Sequence, residues 1–346
     1  MTGKPGFPFA AIGINHNHIY GQTDLLLDAG CTLKAFHAPE DDMAVQYAAR
    51  YPQAKRVREE REVLEDESIK LVIGAGIPDE RTPMAVRAMQ FGKDVMLDKP
   101  AAISLEQLAT LQQVQKETGQ ILSICYSEHF RQKATVEAGR LVQAGAIGQV
   151  IQTVGLGPHQ LGNNPRPDWF FQRSRYGGIL ADIGAHQVEQ FLFFTDSSEA
   201  EVVHSQVGNF ANPKTPELED FGDMVLRSPG ATGYVRLDWF TPDGLGVWGD
   251  GRHTILGTEG YIELRKYIDI GGRPGANHLF LVDKEGARHI DCSSTTLPYG
   301  PALRDDVLNR TETAMGQQHC FLATELALTA EANATWIAGE RPEVRE

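Results

Sequence analysis

Residues 11–22 read AIGINHNHIYGQ, and this stretch decides the N-terminal fold. An apolar run ends at Gly13, and a helical pattern begins at His18. A strand, a glycine turn and a helix in this order are typical of the loop that cradles a dinucleotide phosphate. That loop usually reads G-x-G-x-x-G, whereas Asn15 and His18 replace its second and third glycines here. The stretch is therefore an altered dinucleotide turn, a metal site built on histidines, or an ordinary loop.

The sequence around this turn alternates short apolar runs with helical patterns. Strand followed by helix, repeated, predicts a doubly wound parallel sheet, so residues 1–124 are predicted to form a Rossmann domain. One helix is predicted to open at Thr82 and Pro83, because proline fits the first helical position. The predicted strands are FAAIGI (9–14), TLKAF (32–36), IKLVIGAG (69–76), DVML (94–97) and ILSIC (121–125).

The remainder of the chain, residues 125–346, is predicted to form a second domain of the α+β type. Strands follow one another there without helices between them, which indicates a large, mostly antiparallel open sheet. The C-terminal helix is expected to pack back on the body. A long loop rich in proline and aromatic residues, 157–178, is a candidate functional loop because it is too long for a simple connection.

Charge and composition exclude several kinds of partner. The net charge of -14 opposes binding to nucleic acid or to an anionic membrane surface, and no apolar run reaches the roughly 18 residues that span a bilayer. The four cysteines are far apart and form no C-x-x-C pair, which favours reduced thiols in a cytoplasmic protein. A small-molecule substrate is the expected partner.

Two segments carry residues suited to chemistry. In DVMLDKPAA, Asp98 and Lys99 follow a strand of the parallel sheet, where ligands of such sheets bind, and Pro100 restricts the backbone of the lysine. In GGILADIGAH, residues 177–186, a single helix would place Asp182 and His186 on one face. Histidine suits the removal of a hydroxyl proton, a lysine could hold the resulting alkoxide, and an aspartate could orient the imidazole or a substrate hydroxyl.

Other interpretations of these residues remain open at this point. Lys99 could be a solvated surface lysine. Asp182 and His186 could be an exposed intrahelical pair that stabilises the helix only slightly. The same two residues could instead bind a metal ion together with a further histidine such as His159.

Taken together, the motifs resemble those of the Gfo/Idh/MocA oxidoreductases. The turn at 12–18 matches the first motif of the family, DKP at 98–100 stands where E-K-P is usual, and 177–186 matches G-G-x-x-x-D-x-G-x-H. AGAIGQV at 144–150 and LGTEGYIEL at 256–264 extend the resemblance over most of the chain.

The resemblance implies a Rossmann domain followed by an α/β domain whose open sheet often serves oligomerisation, as a homodimer or homotetramer. It implies oxidation or reduction of a sugar, polyol or related cyclic alcohol with NAD or NADP. Lys99, Asp182 and His186 fall on the catalytic positions of the family, with His186 as general acid and base. No metal ion is implied.

Departures from the family pattern concern the cofactor. Asparagine tolerates positive φ better than most residues, and His16 and His18 carry donors that could reach phosphate at a helix N-terminus. Asn15→Gly is therefore expected to preserve or improve cofactor affinity. His37 stands where an acid would bind the adenine ribose, yet no arginine follows closely and acids follow at 40–42, so NAD is favoured over NADP. The predicted cofactor-binding residues are Gly13, Asn15, His16, His18, His37, Gly76, Ile77, Pro78, Asp98 and Lys99.

Substrate contacts are predicted from two segments. CYSEHF, residues 125–130, enters the second domain near the carboxyl edge of the parallel sheet, and the loop at 157–178 offers a stacking face and donors for a sugar ring. The predicted substrate-binding residues are Tyr126, Glu128, His129, Trp169, Arg173 and Tyr176.

Three alternatives to a dehydrogenase remain. The fold could host a non-redox reaction, such as glycoside cleavage or isomerisation, in which bound NAD is recycled. The altered glycine loop could belong to a ligand-sensing protein. A metal-dependent hydrolase is the least favoured alternative, because the H-x-H pair at 16–18 lacks further ligands nearby in the sequence.

Overall fold

The computed structural model describes residues 6–162 and 165–339, so residues 163 and 164 of the long loop lie outside the described part. The strands are β1 (Pro8–Ile12), β2 (Thr32–His37), β3 (Lys55–Val57), β4 (Leu71–Gly74), β5 (Asp94–Asp98), β6 (Leu122–Cys125), β7 (Val150–Pro158), β8 (Glu201–Gly208), β9 (Phe221–Ser228), β10 (Ala231–Asp238), β11 (Arg252–Gly257), β12 (Gly260–Arg265), β13 (His278–Asp283), β14 (Gly286–Ile290) and β15 (Thr335–Trp336). The helices are α1 (His18–Asp28), α2 (Asp41–Arg50), α3 (Glu60–Leu64), α4 (Pro78–Gln90), α5 (Leu105–Thr118), α6 (Ser127–Phe130), α7 (Lys133–Gln143), α8 (Arg173–Tyr176), α9 (Ile179–Asp182), α10 (Gly184–Thr195), α11 (Tyr299–Asn309) and α12 (Gln317–Ala332).

The chain divides into two compact units. The first contains the chain through Cys125 together with Pro298–Phe321, and the second contains Tyr126–Leu297 and the chain from Leu322. The sequence assigned everything after residue 124 to the second domain, and Pro298–Phe321 departs from that assignment. The reason is an uncovered sheet edge: the side chain of Gln317 bonds both the N–H (2.9 Å) and the C=O (2.7 Å) of Leu122 in the edge strand β6.

The sheet of the first unit confirms the predicted doubly wound fold. Its strand order is β3-β2-β1-β4-β5-β6, and all neighbouring strands are parallel. The central strands are apolar and fully buried, as in sheets covered by helices on both faces. The strand order reverses between β1 and β4, which is where ligands of such sheets bind, beyond the carboxyl ends of the strands.

Helix α4 begins earlier than the sequence indicated. Pro78, and not Pro83, occupies its first helical position, while Pro83 lies inside the helix. Proline has no N–H to give to the carbonyl one turn earlier. That carbonyl, on Asp79, accepts a hydrogen bond of 3.1 Å from the side chain of Gln107 instead. The internal proline is therefore tolerated, and its compensation also links α4 to α5.

The sheet of the second unit is the predicted open, mostly antiparallel sheet. Its order is β14-β13-β12-β11-β7-β10-β9-β8-β15, with β7–β10 and β8–β15 as parallel pairs. Helix α10 packs on β7 and β10 because glycines in those strands leave room, and Gly233, for example, faces the ring of Phe191. No helix in the described ranges is both long and apolar enough to cross a bilayer.

Candidate active site

The turn after β1 lies where the strand order of the first sheet reverses. Gly13 has a φ of 75°, and a Cβ placed on it would lie 3.0 Å from the Cα of Gly76, which follows β4. Both the positive φ and this close backbone approach require glycine. The first glycine of the dinucleotide motif is thus retained for its usual structural reason, and the crevice fits a dinucleotide in this respect.

Side chains hold the remainder of this turn. Asn15 donates from Nδ2 to Oε1 of Glu40 (2.9 Å), and the Nδ1 atom of His16 accepts from the backbone N–H of His18 (3.2 Å). The N–H of His16 donates to the carbonyl of Ala75 (2.8 Å). Positive φ outside glycine occurs, among described residues, only at three positions remote from this turn, so Asn15 does not replace glycine in the way the sequence suggested.

The carboxylate of Asp98, at the end of β5, contacts the side chains of His18 and Arg81. This carboxylate is 1% exposed and lies 3.0 and 3.1 Å from Nδ1 of His18 and 3.3 Å from a guanidinium nitrogen of Arg81. Burial alone would raise the pKa of Asp98, but the charges of His18 and Arg81 hold it well below its usual range. The pKa of His16 is lowered by burial and by His18. His18 is thereby oriented with Nδ1 toward the carboxylate and Nε2 away from it.

The three side chains His16, His18 and Asp98 could also hold a metal ion. One ligand atom of each lies within 4.8 Å of the others, so the H-x-H pair does have a third potential ligand, which the sequence spacing did not show. Arg81 and Lys99 add positive charge near His16, however. Two cationic side chains against a single carboxylate favour an anionic ligand such as phosphate over a metal ion.

Arg81 is a site residue that the sequence reasoning missed. Its guanidinium donates to the carbonyls of Gly76 (2.8 Å), Lys99 (2.5 Å) and Pro100 (3.1 Å), and it thereby joins the ends of β4 and β5. The signal was present in the helical spacing, because Arg81 precedes Met84 and Ala85, which are buried, by three and four residues. An arginine on the buried face of a helix requires partners of this kind.

The other predicted cofactor residues lie around the same sheet edge. His37 is the half-buried last residue of β2, Ile77 is the N-cap of α4 and Pro78 is its first residue. Lys99 is 5% exposed and precedes a cis peptide bond to Pro100. The carboxyl ends of β1, β2, β4 and β5 thus carry the whole predicted set.

In the second unit, two glycines of the 177–186 motif shape the start of a helix. Gly177 ends α8 with φ 91°, and Gly178, with φ 95° and ψ 158°, is the N-cap of α9. A Cβ on Gly178 would lie 2.1 Å from the carboxyl carbon of Glu331. Glu331 and Glu219 cap α9 by accepting the N–H groups of Leu180 (3.0 Å) and Ile179 (2.7 Å).

Two predicted substrate residues support this arrangement. Arg173 forms ion pairs with Glu219 (2.9 Å) and Glu331 (2.6 Å). The buried hydroxyl of Tyr176 donates to the carbonyl of Glu217 (3.2 Å) and accepts the N–H of Glu219 (3.0 Å). Both side chains are engaged with the protein and fix the end of the long loop.

Asp182 and His186 lie on consecutive helical segments, α9 and α10, joined by Ile183, which itself has helical backbone angles (φ -76°, ψ -36°). Helix α9 ends at Asp182 and α10 begins at Gly184, where a Cβ would lie 2.8 Å from a methyl group of Met224 on the sheet. The N–H of His186 bonds the carbonyl of Ile183 (3.2 Å), three residues earlier, so the turn between Asp182 and His186 is tighter than a regular α-helical turn. Asp182 is half-buried, and His186 is 2% exposed.

A buried polar network lies beside His186. Its carbonyl accepts from the side chain of Gln190 (2.8 Å), which in turn accepts from Lys266 (2.7 Å). Lys266 also pairs with Glu128 (2.7 Å), and Tyr267 donates to the same carboxylate (2.5 Å). Although burial would raise it, the charges of Lys266 and His186 lower the pKa of Glu128 to about 2.

The remaining predicted substrate residues have these positions. His129, buried like Glu128, bonds Glu189 through Nδ1 (2.8 Å). Tyr126 is buried, with its ring 6.1 Å from that of His186. Trp169 lies half-buried in a short 3₁₀ segment, Asp168–Phe171. Arg166, which the sequence reasoning passed over, lies over the Phe170 ring (4.7 Å), and Asp182 partly offsets the burial that lowers its pKa.

Comparison with known proteins identifies the family. Residues 20–126 match a model described as oxidoreductase family, NAD-binding Rossmann fold, and residues 135–263 match the GFO/IDH/MocA C-terminal domain. A candidate oxidoreductase of solved structure from Erwinia carotovora atroseptica SCRI1043 is 46% identical, with a TM-score of 0.94, over 96% of this chain and 100% of that chain.

Two curated relatives come from Bacillus subtilis (strain 168). The scyllo-inositol 2-dehydrogenase (NAD(+)) is 28% identical over 73% of this chain and 72% of its own length. The scyllo-inositol 2-dehydrogenase (NADP(+)) IolW is 25% identical over 48% of this chain and 50% of its own length. With a family model on each unit and a relative 46% identical over nearly the whole chain, this protein belongs to the Gfo/Idh/MocA family of NAD(P)-dependent oxidoreductases, as its motifs predicted.

Proposed function

We propose that this protein is a dehydrogenase that transfers a hydride between NAD(P) and the carbinol carbon of a sugar or polyol. The observation that carries the proposal is the crevice where the strand order reverses. There Gly13 and Gly76 approach each other, Asp98 and Lys99 stand at the end of β5, and Arg81 reaches them from α4. The names of the inositol dehydrogenases among the relatives support a polyhydroxylated ring as substrate.

The protein's own residues would supply proton transfer and charge. The bound nicotinamide accepts or donates the hydride. His186 would take the proton from the substrate hydroxyl and return it in the reverse direction. Lys99 would stabilise the alkoxide as its charge develops, and Asp182 would orient the imidazole or a second hydroxyl. The network through Gln190 would hold the backbone of His186 in place.

The cofactor would be held by the turn and by the neighbouring strand ends. Gly13 and Gly76 leave space for the diphosphate, His16 would donate to it from Nε2, and His18 would do so as the imidazolium, alongside the backbone amides at the start of α1. Ile77, Pro78 and Asp98 would form the wall on the nicotinamide side, and His37 lies at the end of β2.

We further propose self-association through the open face of the second sheet. Helix α10 covers one face, while the other carries half-exposed or exposed apolar side chains, including Val154, Tyr234, Leu256 and Tyr261. A homodimer or homotetramer would cover them. The four cysteines are all buried thiols, which supports a reducing compartment such as the cytoplasm.

The test is a panel of sugars, polyols and lactones, each incubated with NAD or NADP while reduced nicotinamide is followed by absorbance. Steady accumulation is expected, whereas an enzyme that recycles bound NAD would give none. With the substrate found, His186→Ala should lower kcat about 100-fold or more while the dissociation constant of the cofactor changes little. His204→Ala, at an exposed position in β8, is the matched control. Loss of cofactor binding together with activity would contradict the role of His186.

A further inference from the structure

Glu40 lies just after β2 and contacts the turn after β1, near the position where dinucleotide-binding proteins usually carry an acidic residue. In dinucleotide-binding sheets an acidic residue near the end of the second strand usually accepts the hydroxyls of the adenine ribose. Here β2 ends at His37, which is not an acid. Glu40 follows three residues later and reaches back to the turn after β1, where its Oε1 accepts from Asn15 (2.9 Å).

The carboxylate of Glu40 is not used by its own helix. Glu40 is the N-cap of α2, a position from which an acidic side chain often accepts a backbone N–H of the first turn. It makes no such hydrogen bond, and its Oε2 atom is buried without a hydrogen-bond partner in the protein. A buried carboxylate oxygen without a donor is costly, because it loses its hydration without compensation. A ligand hydroxyl would supply the missing donor.

The arginine that could bind the 2′-phosphate of NADP, Arg56, already forms an ion pair within the protein. Arg56 on β3 is brought close to the end of β2, where it donates to the carbonyl of Ala38 (3.0 Å) and pairs with Asp41 (2.7 Å). The sequence did not show that Arg56 lies near the end of β2, because the two are far apart along the chain. Because Asp41 pairs with the guanidinium and Glu40, its neighbour in the chain, adds a second negative charge, a 2′-phosphate would meet less net attraction there than at an unpaired arginine.

We infer that Glu40, held by Asn15, is the ribose-binding carboxylate of this protein and makes it selective for NAD. This inference rests on the proposed function. It explains together the two departures from the family motif, Asn15 in place of glycine and His37 in place of an acid. Asn15 in place of glycine positions an acid from α2, and that acid replaces the one missing from the end of β2. Asn15 is a positioning residue in this arrangement, because it acts on the cofactor through Glu40.

The test is titration of the purified protein with NAD and with NADP, followed by intrinsic fluorescence or calorimetry. The protein should bind NAD at least about tenfold more tightly than NADP. Glu40→Gln should weaken NAD binding about tenfold, because a charge-assisted hydrogen bond to ribose is lost. NADP binding should stay unchanged or become stronger, because a negative charge that opposes the 2′-phosphate is removed. Asp42→Asn removes the same charge from an exposed neighbouring position and should change each dissociation constant less than about twofold.

Two further variants separate the possible causes. Asp41→Asn should release Arg56 and strengthen NADP binding alone. Asn15→Ser, which shortens the donor, should reduce NAD binding in the same direction as Glu40→Gln. NADP binding equal to or tighter than NAD binding, or an unchanged NAD affinity in a folded Glu40→Gln protein, would overturn the inference. Failure of both dinucleotides to bind the unmodified protein would instead overturn the proposed function.

Discussion

The turn after β1 and the segment at 177–186 both carry a family motif, but they use glycine in opposite ways. In the first, glycine remains only at Gly13, and hydrogen bonds from Asn15, His16 and His18 hold the rest of the turn. In the second, Gly177, Gly178 and Gly184 are all retained, because a side chain at two of them would overlap a buried carboxylate or the sheet. A motif glycine can be replaced where its role is to let a ligand approach the backbone. It cannot be replaced where a side chain would overlap neighbouring protein atoms.

The largest expected effect comes from Gly178→Ala, which tests whether the glycines at 177–186 are required for packing. Gly178 has backbone angles that are almost exclusive to glycine, and its added Cβ would overlap Glu331. A loss of roughly 3 to 5 kcal/mol in the free energy of unfolding is expected from the strain and the overlap together. Urea denaturation measures this loss.

Gly145→Ala is the matched control for that substitution. Gly145 also has a positive φ (78°), but no atom lies within 4 Å of its added Cβ. Only backbone strain of about 1 kcal/mol is expected there. Equal losses in the two variants would show that the overlap with Glu331 contributes nothing.

The next largest effect is expected from Asp98→Asn in the first unit. The neutral side chain would leave Arg81 buried without its carboxylate and would release His18 from its fixed orientation. Breaking such a buried pair should cost roughly 3 kcal/mol in the free energy of unfolding. Asp66→Asn, in a partly exposed pair with Lys34, should cost less than about 1 kcal/mol in the same measurement. A small loss at Asp98 would mean that the cluster is not structurally coupled.

The pH dependence of stability should separate the two regions. Burial and the adjacent Glu219 raise the pKa of Glu331, so the stability that Glu331 contributes is complete below its unfolded pKa of about 4.3 and is lost as the pH rises through its folded pKa. The pKa of Asp98 is lowered by its cationic neighbours, so its contribution is present above about pH 3.9 and is lost in acid.

Glu331→Gln should therefore gain stability relative to the unmodified protein as the pH rises. The gain should be fully developed once the pH exceeds the folded pKa of Glu331, because only the unmodified protein then carries a buried carboxylate at that position. Thermal or urea unfolding across pH measures the difference. A constant difference at every pH would show that Glu331 keeps an ordinary pKa.

The smallest change in stability is expected for Asn15→Gly, which restores the glycine of the family motif. The change in the free energy of unfolding should stay below about 1 kcal/mol, which is the conformational cost of a glycine. The sequence alone predicts preserved or improved cofactor affinity. The contact with Glu40 reverses that expectation for NAD, whose dissociation constant should rise while that of NADP stays nearly constant.

Local patterns were sufficient to predict the fold class and the family, and they also named the catalytic candidates, which stay predictions. Apolar strands, glycine turns and the two motifs are short-range features, and the parallel sheet, the open sheet and the family were predicted from them. The need for glycine at position 184 escaped prediction, because it depends on close packing against Met224. Arg81 and Arg56 escaped because their partners lie on other elements of the fold.

The joining of Pro298–Phe321 to the first unit has a consequence for biosynthesis. The edge strand β6 and its helix neighbours are synthesised early, yet the side chains that complete them, from Tyr299, Arg310 and Gln317, emerge roughly 200 residues later. At about 5 to 20 residues per second, the ribosome delivers them about 10 to 40 s afterwards. During that interval the contacts of Tyr299, Arg310 and Gln317 are missing from the nascent Rossmann sheet, so the first unit can be completed only after most of the second unit has been synthesised.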